Sequence, residues 1–249
     1  MVRAMVSWPE GIDLITLDEV SSTMSEAAAR APSLTKPTWI QARRQTAARG
    51  RRGRAWQNPD GNLAATLVLK PKVHPPDAAL RAFTASLALY SALADGVAPE
   101  MLALKWPNDV LLSGRKVAGI LLESSGNTAQ VDWLTIGIGV NVVSSPDAED
   151  GAAFPPISLA DVGCNDTADA LLTRLVHHMH HWEATLVEQG FAPIRKAWLA
   201  RAAKIGETIT ARTTRDEITG VFETIDEVGQ LVLSGPNGQV VVPAGDVFF

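Results

Sequence analysis

The sequence predicts an α+β fold: a central mixed β-sheet flanked by helices over residues 1–203, followed by a small β-barrel over residues 204–249. Three observations point there. Apolar runs of strand length, bounded by Gly, Pro, Asn or Asp, alternate with segments of helical period through the first 203 residues. From Lys204 onward the pattern changes to short β-branched runs separated by turn residues. A chain of 249 residues, 46% of them hydrophobic, suffices for one sizeable core with a small appended module.

Taken in order, Ile12 to Leu17 reads as a short strand. Ser21, Ser22 and Thr23 are N-cap candidates for an Ala-rich helix from Met24 to Ala31, because short oxygen-bearing side chains accept from the first unpaired N–H groups. Thr38 to Ala42 is a second strand. Arg43 to Gly61 carries no useful apolar period and reads as a long loop, of the kind that is usually functional or disordered, before a strand from Asn62 to Lys70. Asp77 to Asp95 sets Leu80, Phe83, Leu87 and Tyr90 at helical spacing. Strands follow at Leu102 to Lys105 with Val110 to Leu112, at Lys116 to Glu123 and at Trp133 to Val140. Val143 to Pro156, rich in Ser, Pro, Asp and Gly, reads as a surface loop. Thr167 to Gln189 is a helix with an apolar stripe of Leu171, Leu175, Met179, Trp182 and Leu186, and Phe191 to Ala203 is a shorter one. In the last stretch, strands fall at Thr208 to Ala211, Ile218 to Ile225, Leu231 to Leu233 and Val240 to Val242, with turns at Asp226 to Gly229 and Pro236 to Gly238.

Composition excludes several classes. A net charge of −5 gives the whole chain no electrostatic reason to seek nucleic acid or an anionic membrane. No apolar run approaches the roughly 20 residues that cross a bilayer, and Met1 to Glu10 lacks the pattern of a signal peptide, so the expected address is the cytosol. The single cysteine, Cys164, excludes an internal disulfide framework and a Cys-rich zinc site. His177 and His181 stand i, i+4 on a helix but enclose no Glu in the zinc-protease arrangement. With His178 and His180 they read as the wetter side of an amphipathic helix.

The largest charge anomaly is local. Arg43, Arg44, Arg49, Arg51, Arg52 and Arg54 fall within twelve residues, while no Asp or Glu occurs from Ala27 to Pro59. Gly50 and Gly53 let the backbone approach a ligand closely, and guanidinium forks grip carboxylate or phosphate oxygens. Trp56 follows, an indole suited to stack on a nucleobase or cover a pocket. The run is neither a Walker loop, since no Gly-Lys-Ser/Thr follows, nor a dinucleotide fingerprint, since a strand rather than a helix comes after it. Spacing alone leaves a phosphate loop and a solvated or nucleic-acid-binding patch both open.

Five separated stretches then settle the reading by resemblance. They are Ser22-Thr23; Gln45 with Ala48-Arg49-Gly50-Arg51-Arg52-Gly53-Arg54-Ala55-Trp56; Lys105-Trp106-Pro107-Asn108-Asp109-Val110; Lys116-Val117-Ala118-Gly119-Ile120-Leu121; and Gly137-Ile138-Gly139-Val140-Asn141. In this order the chain resembles the biotin protein ligases over most of residues 12 to 249. The resemblance implies a catalytic sheet domain with a Src-homology-3-like barrel behind it. It further implies ATP and biotin as substrates with Mg2+, and a biotin carboxyl carrier protein as the acceptor. A homodimer is possible; DNA and membrane are not expected partners, since only about a dozen residues precede the first strand and leave no room for a DNA-binding domain.

Carried over residue by residue, the resemblance assigns biotin to Ser22, Thr23, Met24, Gln45, Arg49, Gly50, Arg51, Lys116 and Gly119. It assigns ATP to Arg51, Arg54, Trp56, Asn108, Asp109, Lys116 and Asn141, with Asp109 as a magnesium ligand, and gives Lys116, Arg51 and Arg49 the catalytic roles. The implied chemistry is attack of the biotin carboxylate on the ATP α-phosphorus, then transfer to a carrier lysine. This needs positioned cations more than a protein nucleophile. On their residues alone, Trp106 and Pro107 could anchor a turn, Asp109 could cap the backbone and Asn141 could end a strand. Two positions depart from the family pattern: Ala48 stands where a glycine is common, and Met24 where an asparagine is common. Rival readings are a lipoate or octanoate transferase of the same superfamily, a DNA-binding regulator, and a biotin-binding module without catalysis.

Overall fold

The computed structural model describes residues 7–147, 154–213, 216–236, 238–243 and 245–249. The main sheet is built from β1 (Asp13–Val20), β2 (Thr38–Gln45), β3 (Leu63–Leu69), β4 (Leu102–Lys105), β5 (Asp109–Leu112), β6 (Arg115–Gly126) and β7 (Val131–Val140). Their order is β1-β2-β3-β7-β6-β5-β4, and β1 pairs parallel to β2 while the other neighbours pair antiparallel, which makes the sheet mixed as the sequence predicts.

The alternation along β7 explains why the two faces of this sheet differ. Ile136, Ile138 and Val140 join one buried core with Leu87 and Leu93 of α3 (Arg81–Ala94), Leu171 and Leu175 of α4 (Ala168–Gln189), and Ile194 and Trp198 of α5 (Phe191–Leu199). The other face carries Gly137 and Gly139, and β6 sets Gly119 directly opposite Gly139 and Leu121 opposite Gly137. A single short helix, α1 (Thr23–Arg30), packs on that face against β2, β3 and β7, burying Ala27 with Ile40 and Val68. One helix covers part of the face, and the glycine floor beyond it is left for a cavity.

Helix ends follow the chemistry at them. Thr167 caps α4 by accepting from the Ala170 N–H at 3.2 Å, and Gly190 with φ 74° ends it. Ser22 holds the N-cap position of α1 but its hydroxyl makes no capping bond. The side chain of Gln45 takes that role instead, its Oε1 accepting from the Thr23 N–H at 2.8 Å. The helix expected over 77–95 is two, α2 (Pro75–Ala79) and α3, meeting at Leu80. Strand β2 runs three residues beyond the predicted Ala42, because Arg44 and Gln45 stay in register with Glu19 and Val20 of β1.

The C-terminal unit is a five-stranded antiparallel sheet of β8 (Thr208–Arg212), β9 (Glu217–Ile225), β10 (Leu231–Gly235), β11 (Gly238–Val242) and β12 (Asp246–Phe248), in the order β11-β10-β9-β8-β12. The sequence reading missed β12, whose three residues are too few to show a period. Phe222, Ile225, Leu231 and Val247 belong to the same buried cluster as the main sheet, and the indole N–H of Trp106 donates to the Gly229 carbonyl at 3.1 Å. The C-terminal sheet is therefore fastened beside the turn between β4 and β5. Of the surface loop expected over 143–156, residues 148–153 lie outside the described residues; after them Ile157 donates to the Lys116 carbonyl at 3.0 Å.

Candidate active site

Over the glycine floor lies a cavity of about 560 Å3, within the size range of small-molecule sites. Every residue that the resemblance assigns lines it: Ser22, Thr23, Met24, Gln45, Arg49, Gly50, Arg51, Arg54, Trp56, Asn108, Asp109, Lys116, Gly119 and Asn141. The two ends of the cavity differ in chemistry.

At the α1 end, Gln45 Oε1 accepts from both the N–H and the hydroxyl of Thr23 (2.8 and 3.1 Å), and Thr66 donates to Thr23 Oγ1 at 2.9 Å. With its oxygen so engaged, Gln45 has its amide N–H groups to offer a ligand acceptor. Met24 lies against Gly137, where an added Cβ would stand 2.6 Å from the Met24 sulfur. The departure from asparagine thus places a thioether on the floor of this end.

At the other end the arginine loop folds back over β6 and β7. Its left-handed residues are Arg52 (φ 58°) and Gly53 (φ 72°), not Ala48, so alanine at the loop's start is accommodated without a left-handed turn there. Trp56 lies on the paired glycines: a Cβ on Gly139 would stand 2.7 Å from its indole nitrogen, and one on Gly119 would stand 3.3 Å from its ring. Lys116 Nζ sits 5.5 Å from the centre of that ring.

The six arginines do not act as one cluster. Arg43 and Arg44, on β2, pair with Asp18 and Glu19 of the neighbouring edge strand and do not line the cavity. Arg49 forms an ion pair with Glu123 (2.8 Å) and donates to Ser25 Oγ at 3.0 Å, so its guanidinium joins the loop to β6 and α1. Arg51, Arg52 and Arg54 converge on a single carboxylate, Asp246 of β12, at 3.2, 3.1 and 2.9 Å. Arg51 also donates to the Gly245 carbonyl at 3.0 Å and to Asn108 Oδ1 at 3.4 Å. Burial lowers the pKa of the Arg51 guanidinium, and the Asp246 charge opposes that shift.

Beneath the loop, Asp109 is buried between two ammonium groups, Lys105 at 3.1 Å and Lys116 at 2.7 Å. Burial pushes the Asp109 carboxyl up, but Lys116 and Lys105 outweigh it and hold the pKa below the usual carboxylate range. Burial lowers the pKa of Lys105, against the pull of Asp109. Asp109, the expected magnesium ligand, is ion-paired to both lysines in this structure. Both its oxygens face ammonium groups, and among the described residues no set of three or more His, Cys, Asp or Glu side chains gathers as a metal site. Magnesium at a nucleotide site is commonly held through one or two carboxylates together with substrate phosphates and water. The histidines follow the wet-side reading: His177 bonds the Ser7 carbonyl and His178 faces Asp95. Asn141 donates to the Ile157 carbonyl at 3.1 Å, while its buried Oδ1, on the cavity wall, has no partner. That is a polar atom left for a ligand.

Sequence reasoning missed four contributors. Lys105 lay inside a quoted motif and could have been taken with it. Glu123, Phe154 and Asp246 gave no local signal, and the last two line the cavity from the far side of the 148–153 segment and from β12.

Comparison with known proteins agrees with this geometry. Residues 16–141 match the biotin/lipoate A/B protein ligase family, and residues 204–249 match the biotin protein ligase C-terminal domain. The chain is 50% identical to a biotin–[acetyl-CoA-carboxylase] ligase of Paracoccus denitrificans over 238 residues, covering 94% of this chain and 99% of that one. It is 33% identical to a ligase of the same name from Mycobacterium tuberculosis, covering 99% and 91%. A solved biotin protein ligase of Aquifex aeolicus in complex with biotin and ATP superposes with a TM-score of 0.77 at 24% identity, over 94% of this chain and 97% of that one, which shows a shared fold. The chain belongs to the biotin protein ligase family.

Proposed function

We propose that the cavity binds biotin and ATP, joins them as biotinyl-5′-adenylate, and passes the biotinyl group to a lysine of a biotin carboxyl carrier protein. The observation that carries this reading is the polarity of one cavity. A matched set of small polar groups sits at the α1 end and a cation cluster at the loop end, with a glycine floor between them. Biotin's ureido ring offers N–H donors and a carbonyl acceptor, which suit the Ser22, Thr23 and Gln45 groups. Leaving such groups buried and unpaired would cost about 1–3 kcal/mol each. Its carboxylate then reaches toward Lys116 and Arg51, with Trp56 and Asn141 toward the nucleotide.

In the first step a carboxylate oxygen attacks the α-phosphorus, and the bond from that phosphorus to the pyrophosphate oxygen breaks. Lys116 and Arg51 hold the reacting anions together and neutralise them, and Gly50 with Gly119 lets the backbone come close. Arg49, ion-paired to Glu123, fixes the start of the loop. In the second step the neutral amine of the carrier lysine attacks the acyl carbon; the acyl–oxygen bond breaks, AMP leaves, and the amine proton is lost. The loop shields the mixed anhydride from water until then. We place the catalytic unit at residues 1–203 and the supporting unit at 204–249, with the cytosol as the site of action and neither DNA nor membrane as partner. Among the described residues no helix is long and apolar enough to cross a membrane.

The test is Arg51→Gly, assayed for adenylate release and for biotinylation of bystander lysines. Removing the guanidinium loosens the grip on the phosphate, so adenylate should escape and label proteins other than the carrier. Retention equal to that of the unaltered protein sinks the role given to Arg51.

A further inference from the structure

Lys105 is 7% exposed, faces Asp109 across the β4–β5 ladder, and carries the Phe154 ring 4.4 Å from its ammonium. A buried ammonium is costly to keep charged, and here its close carboxylate is Asp109, which also binds Lys116. Lys116 is the only member of this trio with substantial exposure, at 30%. The three charges lie side by side on the cavity wall, with Lys116 the most exposed of them.

We propose that Lys105 is a positioning residue for the adenylation step: it remains as the counter-ion of Asp109 when Lys116 turns from Asp109 to the anions of the substrates. This rests on the proposed biotin and ATP site and adds a residue to it. Without Lys105, Asp109 would be a buried carboxylate with Lys116 as its sole close cation. It would hold that ammonium back and repel the incoming carboxylate and phosphate. With Lys105 present, Asp109 stays neutralised in both positions of Lys116. A simple strand-to-strand ion pair would have no such effect on Lys116.

The discriminating experiment is a double-mutant cycle on biotin-dependent ATP–pyrophosphate exchange, using the full chain, with melting temperature followed for each variant. Lys105→Met should lower kcat/KM about 10- to 100-fold, the range that a roughly 1 Å misplacement costs. In a protein already carrying Asp109→Asn, Lys105→Met should cost much less than it does in the unaltered protein, because no unpaired carboxylate is left to hold Lys116. Lys105→Arg, which keeps the charge, should stay close to the unaltered protein. An equal cost of Lys105→Met with and without Asp109→Asn, or a Lys105→Met protein of unchanged activity, overturns the proposal. If Lys105→Met does not fold, Lys105→Gln alone and with Asp109→Asn reads the same comparison. Absence of exchange in the unaltered protein would instead overturn the biotin and ATP reading on which the proposal rests.

Discussion

Replacing Asp246 by alanine removes the one carboxylate on which three arginines of the loop converge. The three pairs are not equivalent. Arg51 and Asp246 are 22% and 17% exposed, and a hydrogen bond between charged groups in such a setting contributes about 1.5–3 kcal/mol. Arg52 and Arg54 are 40% and 65% exposed, so solvent screening reduces each of their pairs to about 0.2–1 kcal/mol. The sum is about 2–5 kcal/mol, and at about 2–4 °C per kcal/mol for a chain of this size the melting temperature should fall by roughly 4–20 °C. Calorimetry on Asp246→Ala, alone and combined with Arg51→Gln or Arg54→Gln, measures both the total and its division. The coupling to Arg51 should exceed that to Arg54. A melting temperature within 1 °C of the unaltered protein, taken as roughly the resolution of such a comparison, or equal couplings for the two arginines, would refute the reasoning.

Three further outcomes are expected. Gly139→Ala puts a methyl 2.7 Å from the Trp56 indole nitrogen, so the ring must leave its place; overpacking of about 1–3 kcal/mol and a higher KM for ATP should follow, read by thermal unfolding and steady-state kinetics. Gly137→Ala meets the Met24 sulfur at 2.6 Å and should raise the KM for biotin, whereas adding Met24→Ala should restore it; a double variant worse than either single one would contradict the contact. Asp109 has a folded pKa below its ordinary 3.8, so its contribution to stability is fully present above pH 3.8 and is lost as pH falls through the lower folded value. Asp109→Asn should therefore flatten the acid limb of stability below pH 3.8, as measured by urea unfolding over a pH series.

Much of the fold was legible because its signals are local. The stripe of α4 and the alternation of β7 are written in neighbouring residues, and so is the Gly-x-Gly spacing that makes the cavity floor. The loop was legible as a concentration of cations, but its internal division was not. Arg49 finds Glu123 at a sequence separation of 74, and Arg51 finds Asp246 at 195. No local pattern carries such pairings, and the arginine run looks uniform until the fold assigns each member a carboxylate. The surroundings of Asp109, the residue given the magnesium role, were hidden for a related reason. No local pattern shows that Lys105 and Lys116 enclose its carboxylate from opposite sides.

The most direct test of the central claim is pyrophosphate release from ATP and magnesium by the purified chain, with biotin, lipoate and octanoate offered separately. Release with biotin alone is the expected result, because the small polar groups at the α1 end match a ureido ring. Release with lipoate or octanoate in place of biotin, or with none of the three, would contradict it.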